Sequence, residues 1–269
     1  MGESVSMKKM ICGALACLAL GQAHAGGISD TGVNAYWGSD DHGKGDVIGG
    51  TTYDIKDATI TRVGSILTIV INTNFAGHAG MDSNITTGGI GYGDLFLADT
   101  WKAAGTDSHH ENDDSTTGTV WDYGFALDNR YSNTGGTFKL YQLNGSTNAQ
   151  NIKDSDEVMK CTLGTECLYR EGQETLVRTG SSTVQQVSVN AKAVTGQWTV
   201  AANQALTFTI NLAGTELLNY TSFAMHWGET CQNDVIEGIT SVVPEPGAAA
   251  LVLLGLGALG IARRRRVRG

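Results

Sequence analysis

Alternating apolar and polar residues along most of the chain predict β-strands. Residues 58–63 and 66–72 are two runs rich in β-branched side chains, separated by Gly64-Ser65. This spacing predicts a hairpin with a type II′ turn, because glycine accepts the positive φ of the first central position. Residues 191–200 and 205–212 predict a second hairpin, and alternate side chains of the latter run are apolar. Further strands are predicted at residues 94–98, 120–127, 137–143, 183–189 and 221–227.

The same pattern predicts a single all-β domain over residues 26–243. An acidic stretch at residues 154–160 predicts one or two helical turns, and no other segment of this region keeps a helical period. Neither an internal repeat nor a linker divides these 218 residues, a normal length for one all-β domain. We therefore expect an antiparallel two-sheet β-sandwich, jelly-roll-like in form.

The first 25 residues predict a secretory signal peptide. Lys8 and Lys9 precede an apolar run at residues 10–20, and the small-residue site Ala23-His24-Ala25 follows. A basic start, a short apolar core and a small-residue site are the three parts of such a signal. Signal peptidase is the expected partner, with cleavage between Ala25 and Gly26.

Residues 244–269 predict a membrane-directed tail. An apolar run at residues 247–262 follows the sequence Val243-Pro244-Glu245-Pro246. As a helix this run would measure roughly 24 Å, a marginal transmembrane span against a hydrocarbon core of about 30 Å. A basic stop at residues 263–268 should hold its far end in the cytoplasm and leave the domain outside. The four consecutive arginines of this stop are Arg263, Arg264, Arg265 and Arg266.

This tail resembles the sorting signal of PEP-CTERM proteins, in which a Pro-Glu-Pro motif, an apolar helix and a basic cluster follow one another. The resemblance implies an exosortase as processing partner, acting at residues 243–246 in the inner membrane of a Gram-negative bacterium. It further implies delivery to the cell surface or extracellular matrix, commonly alongside exopolysaccharide. Residues 223–227 and 231–238 are also similar to the stretch before the tail in many such proteins, where a last strand precedes a turn.

Charge narrows the choice of partners for the domain. Residues 26–243 contain 11 Lys and Arg against 25 Asp and Glu, a net charge of −14. Such a surface repels phosphate backbones and anionic lipids, which excludes nucleic acid as an expected partner.

Three of the five cysteines remain after residue 25, in a compartment where disulfides persist. Because three is an odd number, at most one bridge forms within the chain. Cys161 and Cys167 are close in sequence and are the preferred pair, and Cys167 with Cys231 is the alternative. No cysteine spacing resembles a zinc site.

Candidate chemistry is sparse, and we predict no catalytic residues. Neither Gly-x-Ser-x-Gly nor a zinc-protease motif occurs in the domain, and no pattern singles out a pair of glycosidase carboxylates. No cofactor is expected. The alternative is a structural Ca²⁺ in two acidic loops, because oxygen-rich loops suit this ion. Its candidate ligands are Asp40, Asp41, Asp113 and Asp114.

Two further interpretations concern His226 and the tryptophans. Strand alternation places Met225 and Trp227 towards the core and His226 on the outer, solvent-facing side. Trp198 also lies in a predicted strand and should fill the core. Trp37 and Trp101 lie beside loops and are the candidates for a sugar-stacking platform, since aromatic faces are apolar with polar rims.

The sequence therefore predicts an exported, exosortase-processed surface or matrix protein without enzymatic activity, associated with exopolysaccharide. A carbohydrate-binding module, with or without Ca²⁺, is the first alternative. A secreted polysaccharide hydrolase is the second.

Overall fold

The computed structural model describes residues 24–29, 52–81, 83, 86, 88–103, 116–159 and 172–242. Strands make up 52% of these residues and helices 7%, which confirms an all-β fold. Within these ranges, no helix has the length and apolar character needed to cross a membrane. The predicted transmembrane segment at residues 247–262 lies outside them.

Fifteen strands and three short helices are formed by the described residues. The strands before the helices are β1 His24–Ser29, β2 Ile55–Val63, β3 Ile66–Thr73, β4 Leu95–Ala98, β5 Tyr123–Leu127 and β6 Gly135–Leu143. Two helices flank one strand: α1 Asn148–Asn151, β7 Ile152–Asp154 and α2 Ser155–Val158. The next strands are β8 Glu174–Val177, β9 Val184–Gln186, β10 Ser188–Val189, β11 Lys192–Ala193, β12 Thr195–Ala201 and β13 Ala205–Asn211. A 3₁₀ helix, Glu216–Asn219, precedes β14 Ser222–Gly228 and β15 Val235–Ser241.

Eleven strands form one antiparallel sheet in the order β1-β2-β3-β13-β12-β6-β5-β4-β14-β15, with β9 beside β6. Two small sheets, β7–β8 and β10–β11, stand apart from it. The antiparallel arrangement was predicted, but the described residues do not form the two packed sheets of the predicted sandwich. A single sheet curves round instead, and its inner face encloses the main core.

The first and last strands of this sheet lie side by side, so the sheet is nearly closed. Two glycines permit the close approach. A Cβ on Gly26 would lie 2.8 Å from the Ser241 carbonyl oxygen, and one on Gly238 would lie 2.7 Å from Ile28 Cγ2. Side chains at either position would push β1 away from β15.

Apolar side chains pack in two layers, one on each face of the sheet. The inner layer holds the alternate residues of β14, including Met225 and Trp227, together with Trp198. An outer, smaller layer lies beneath the β7–β8 sheet and includes Phe96 and Trp121. Part of the outer face is therefore covered by protein rather than by water, and this cover positions the site described below.

Both predicted hairpins are present. β2 and β3 meet at Val63 and Ile66, and Gly64 has a φ of 60°. A positive φ at Gly64 but not at Ser65 fits the predicted type II′ turn. The second hairpin joins β12 and β13, with alternate β13 side chains buried. The acidic stretch predicted to be helical contains the single turn α2.

Four predicted features differ in part or lie outside the described residues. Residues 231–238 were expected to form a turn after the last strand; residues 231–234 do lie between two strands, but residues 235–238 belong to the further strand β15, which pairs with β14. The preferred disulfide and the calcium candidates lie outside the described ranges, as does the tail from residue 243 onwards. The residues concerned are Asp40, Asp41, Asp113, Asp114, Cys161 and Cys167.

Candidate functional site

Glu174, His226 and Glu237, here called the buried cluster, bring their side chains together on the outer face of the sheet. His226 and Glu237 are direct partners in the β14–β15 hairpin, so their side chains project from the same face. Glu174 is the first residue of β8, which lies over that face. One ligand atom from each of the three residues lies within 4.8 Å of the others.

The two ring nitrogens of His226 have different partners. Nδ1 lies 2.7 Å from Oε1 of Glu237, and Nε2 lies 2.7 Å from the backbone carbonyl oxygen of Glu174. A carbonyl oxygen only accepts hydrogen bonds, so Nε2 carries a proton and donates it. The ring orientation and the protonation of Nε2 are therefore fixed by the backbone of β8.

Glu174 is held from a second direction by Asn148 in α1. The Asn148 amide nitrogen donates to Oε1 of Glu174 at 2.7 Å and to the carbonyl of Thr119 at 2.8 Å. The Asn148 amide oxygen accepts from the backbone N–H of Trp121 at 3.1 Å. These three contacts fix both the amide orientation and the position of the Glu174 carboxyl group.

Aromatic rings surround the imidazole of His226. The rings of Phe96 and Trp121 have centroids 5.9 and 5.8 Å from it. Nε1 of Trp121 is buried beside the Glu174 carboxyl group and makes no hydrogen bond of good geometry within the described part of the chain. The buried cluster therefore has apolar walls, with the Trp121 indole N–H beside the Glu174 carboxyl group.

Burial changes the acid–base behaviour of the cluster. Loss of solvent raises the pKa of Glu174 to about 7, against the opposing effect of His226. Burial lowers the pKa of His226, but the hydrogen bond and charge of Glu237, with a further contribution from Glu174, raise it overall. A buried group must be compensated in its charged form, and these shifts favour a neutral set of charges within the cluster.

The cluster reaches the surface through Glu237 and Trp101. The Glu237 side chain is 13% exposed, whereas that of His226 is fully buried. Trp101 is 37% exposed, and its Nε1 lies 3.4 Å from Oε2 of Glu237. A half-exposed aromatic ring thus lies at the outer edge of an otherwise buried polar site.

The solvent-facing position predicted for His226 was wrong. Strand alternation gave the correct face, because Met225 and Trp227 enter the inner core and His226 points the other way. The prediction failed because β8 and Trp121 cover that face. Glu174 and Glu237 were not singled out. Recognising residues 235–241 as a strand would have placed Glu237 opposite His226.

The other residues predicted from the sequence lie away from the buried cluster or outside the described residues, except Trp101 at its edge. Trp198 and Trp227 fill the core as predicted, and Trp101 is partly exposed as a platform would require. Ala25 and Gly26, on either side of the predicted signal cleavage, lie within β1. Ala23 and Trp37 lie outside the described residues, whereas Cys231 is described and buried.

Chemically, the cluster offers one imidazole nitrogen and carboxylate oxygens from two glutamates. These groups hold protons or a cation, and the set N, O, O is one that divalent transition metals accept.

Comparison with known proteins gives one match. A family model of the PEP-CTERM protein-sorting motif matches residues 242–266, at the C-terminus. No curated protein matches the chain, and no solved structure does. The sorting motif predicted from residues 243–266 is therefore present, and it implies an exported protein processed by an exosortase.

Proposed function

We propose that this exosortase substrate delivers a non-enzymatic β-domain, residues 26–243, to the cell surface or extracellular matrix, where it associates with exopolysaccharide. The PEP-CTERM motif at residues 242–266 supports the sorting half of this proposal. The geometry of the domain adds two observations on its connection to the sorting tail and one that supports the non-enzymatic role.

The connection between domain and motif is the observation that carries the proposal. Val242 is fully buried, and its N–H donates to the Thr221 carbonyl at 3.0 Å. The match to the sorting motif begins at this same residue. The match to the sorting motif therefore begins at a buried, hydrogen-bonded residue directly after β15, as expected for a folded cargo carried by its sorting tail.

The two membrane-directed segments also leave the domain at one place. Gly26, at the predicted signal cleavage, lies beside Ser241 at the end of β15. A precursor with both segments in the inner membrane would thus keep both attachment points on one side of the domain. This arrangement favours a domain that folds on the outer face of that membrane before its release.

Burial of the candidate acid–base groups supports a non-enzymatic role. Glu174 and Glu237 approach within 4.8 Å around His226. Glycosidase carboxylates are about 5–5.5 Å apart in retaining enzymes and about 6.5–9.5 Å apart in inverting ones, with a cleft between them. Here the His226 imidazole lies within 4.8 Å of both carboxyl groups, and both Glu174 and His226 are buried.

Carbohydrate binding is the second candidate function, and Trp101 favours it. Trp101 is 37% exposed, and its Nε1 lies beside the carboxylate of the partly exposed Glu237 side chain. An exposed aromatic face next to an acceptor is a combination that stacks against a sugar ring and binds its hydroxyl groups.

Both candidate functions are tested by a pull-down of the exported protein on the producer's own exopolysaccharide, with and without Ca²⁺. The non-enzymatic matrix proposal predicts retention on the polymer without a decrease in polymer length. The carbohydrate-binding version predicts that Trp101→Ala loses retention while Tyr131→Ala, an exposed aromatic elsewhere, keeps it. Shortening of the polymer would refute the non-enzymatic role, and no retention of the wild-type protein would refute the association.

Dependence on the exosortase tests the sorting half separately. Deletion of the exosortase gene should leave the precursor in the membrane fraction with its tail intact. Release of a shortened protein from the deletion strain would refute processing by that enzyme.

A further inference from the structure

We propose that Glu174, His226 and Glu237 bind one divalent transition-metal ion, of which Zn²⁺ fits best. The proposal goes beyond sorting and exopolysaccharide association, because it assigns an ion to the domain itself. It rests on the convergence of the three side chains, on the contacts that orient them, and on the charge of the buried cluster.

Convergence is the first step. Ligand atoms from the three residues lie within 4.8 Å of one another, and Nδ1 of His226 and Oε1 of Glu237 are already 2.7 Å apart. Zinc bonds of about 2.0–2.2 Å place tetrahedral ligand atoms about 3–3.5 Å from each other. Side-chain movements on the order of an ångström would therefore bring the three atoms around one ion.

Orientation is the second step. A histidine that binds a metal through one nitrogen usually donates its other ring N–H to a carbonyl or carboxylate. His226 has this arrangement, because Nε2–H donates to the Glu174 backbone carbonyl and leaves Nδ1 facing the Glu237 carboxylate. Asn148 holds the Glu174 carboxyl group in the same supporting manner.

Charge is the third step. With both glutamates ionised and His226 neutral, the cluster has a charge of −2, and the part of this charge on the buried Glu174 needs compensation. Two protons or one divalent cation restore neutrality. The buried Trp121 Nε1 lies beside Glu174 without a hydrogen bond of good geometry among the described residues, so it is placed to donate to a metal-bound carboxylate.

The ligand types decide which ion is preferred. Imidazole with two carboxylates suits Zn²⁺ and its first-row neighbours, whereas Ca²⁺ takes six to eight oxygen ligands and Mg²⁺ retains several waters. Three protein ligands also leave one tetrahedral position for a water or for a group of a bound molecule. The ion would connect β8 to the β14–β15 hairpin and so fasten the β7–β8 cover to the main sheet.

Calorimetric titration of Zn²⁺ into the full chain, purified in detergent and stripped with a chelator, tests the site. The wild-type protein should bind one Zn²⁺ at this site, and His226→Gln and Glu237→Gln should each weaken that binding by more than about tenfold. The matched controls are His78→Gln and Glu216→Gln, which change the same residue types elsewhere and should bind as the wild type does. Ca²⁺ should not compete.

Cobalt substitution of the wild-type protein decides the matter even if the variants fail to fold. A Co²⁺ complex with nitrogen and oxygen ligands, displaced by an equal amount of Zn²⁺, supports the proposal. Equal Zn²⁺ affinities of the wild type and both Gln variants would overturn it. A thiolate-to-cobalt absorption band would also overturn it, by placing the ion on cysteine.

Discussion

Asp94 connects three elements through one buried carboxylate. Its side chain is 1% exposed, and its oxygens accept the N–H groups of Leu127 at 3.0 Å and Val177 at 2.9 Å. Arg130 adds an ion pair at 3.2 Å. Since Val177 belongs to β8, Asp94 helps to hold the strand that carries Glu174 against the sheet.

Replacement of Asp94 should therefore lower the free energy of unfolding, and the loss should grow with the number of hydrogen-bond acceptors removed. Asp94→Ala leaves two buried N–H groups and the Arg130 charge without their acceptor, and we expect a loss of about 3–5 kcal/mol in the free energy of unfolding. Asp94→Asn retains one acceptor oxygen and should lose about 1–3 kcal/mol. Urea unfolding monitored by tryptophan fluorescence measures both. Equal stabilities of Asp94→Ala and the wild type would contradict this role.

Asp128 lies at the surface, and its contribution to stability should depend on pH. The hydroxyl of Thr137 lowers the pKa of Asp128 most, slight burial opposes this effect, and Lys139 lowers the pKa further from 3.0 Å. A lowered carboxyl pKa adds stability above the unfolded-state value of about 3.9, and this stability is lost as pH falls through the folded-state pKa.

Asp128→Asn should thus be less stable than the wild type at pH 6, by under about 1 kcal/mol because the pair is exposed. Near pH 2 the difference should vanish. Unfolding curves at both pH values check this expectation. A difference that is constant with pH would show that the Asp128 charge makes no contribution.

The buried cluster shows which residue-level features a sequence reveals. Alternation along β14 placed His226 opposite Met225 and Trp227, and this was correct. Its burial depends on Glu174, which lies 52 residues away on a strand of four residues. No local pattern encodes that packing, because a histidine on an outer strand face has the same neighbours in sequence whether water or protein covers it.

At the scale of the elements, strands were predicted correctly where one face is exposed to solvent and the other is buried in the core. β3 and β13 have this alternation, and their boundaries were found within a few residues. β8 and β15 were missed. β8 is short and largely buried. In β15, Gly238 interrupts the alternating sequence pattern, because Ile28 of the neighbouring strand packs where its side chain would lie.

The β2–β3 turn offers a test of local backbone geometry. Gly64 has a φ of 60°, and a Cβ there would have no atom within 4 Å, so the cost of Gly64→Ala is conformational alone. We expect a loss of about 1–2 kcal/mol. Gly180 is the control, because it has equal space without a left-handed φ, and Gly180→Ala should be neutral or slightly stabilising.

Thermal and urea unfolding of the two glycine variants should therefore differ in sign or size. Identical effects would mean that the turn does not require a left-handed residue at position 64.

At the scale of the whole molecule, closure of the sheet was not predictable from strand patterns. A run of alternating residues predicts that a strand exists but not which strand becomes its neighbour. Here β1 lies beside β15, although the two are separated by almost the full length of the domain. This closure brings the predicted signal cleavage next to the end of the last strand, from which the sorting motif continues.

Sorting is the central claim, and the mass of the exported protein tests it most directly. Intact-mass spectrometry of the protein from the cell surface or medium should give a chain that begins at Gly26. Its C-terminus should lie at or near residues 243–246, without Arg263–Arg266. An exported protein whose mass still includes the arginine cluster would contradict processing at the motif.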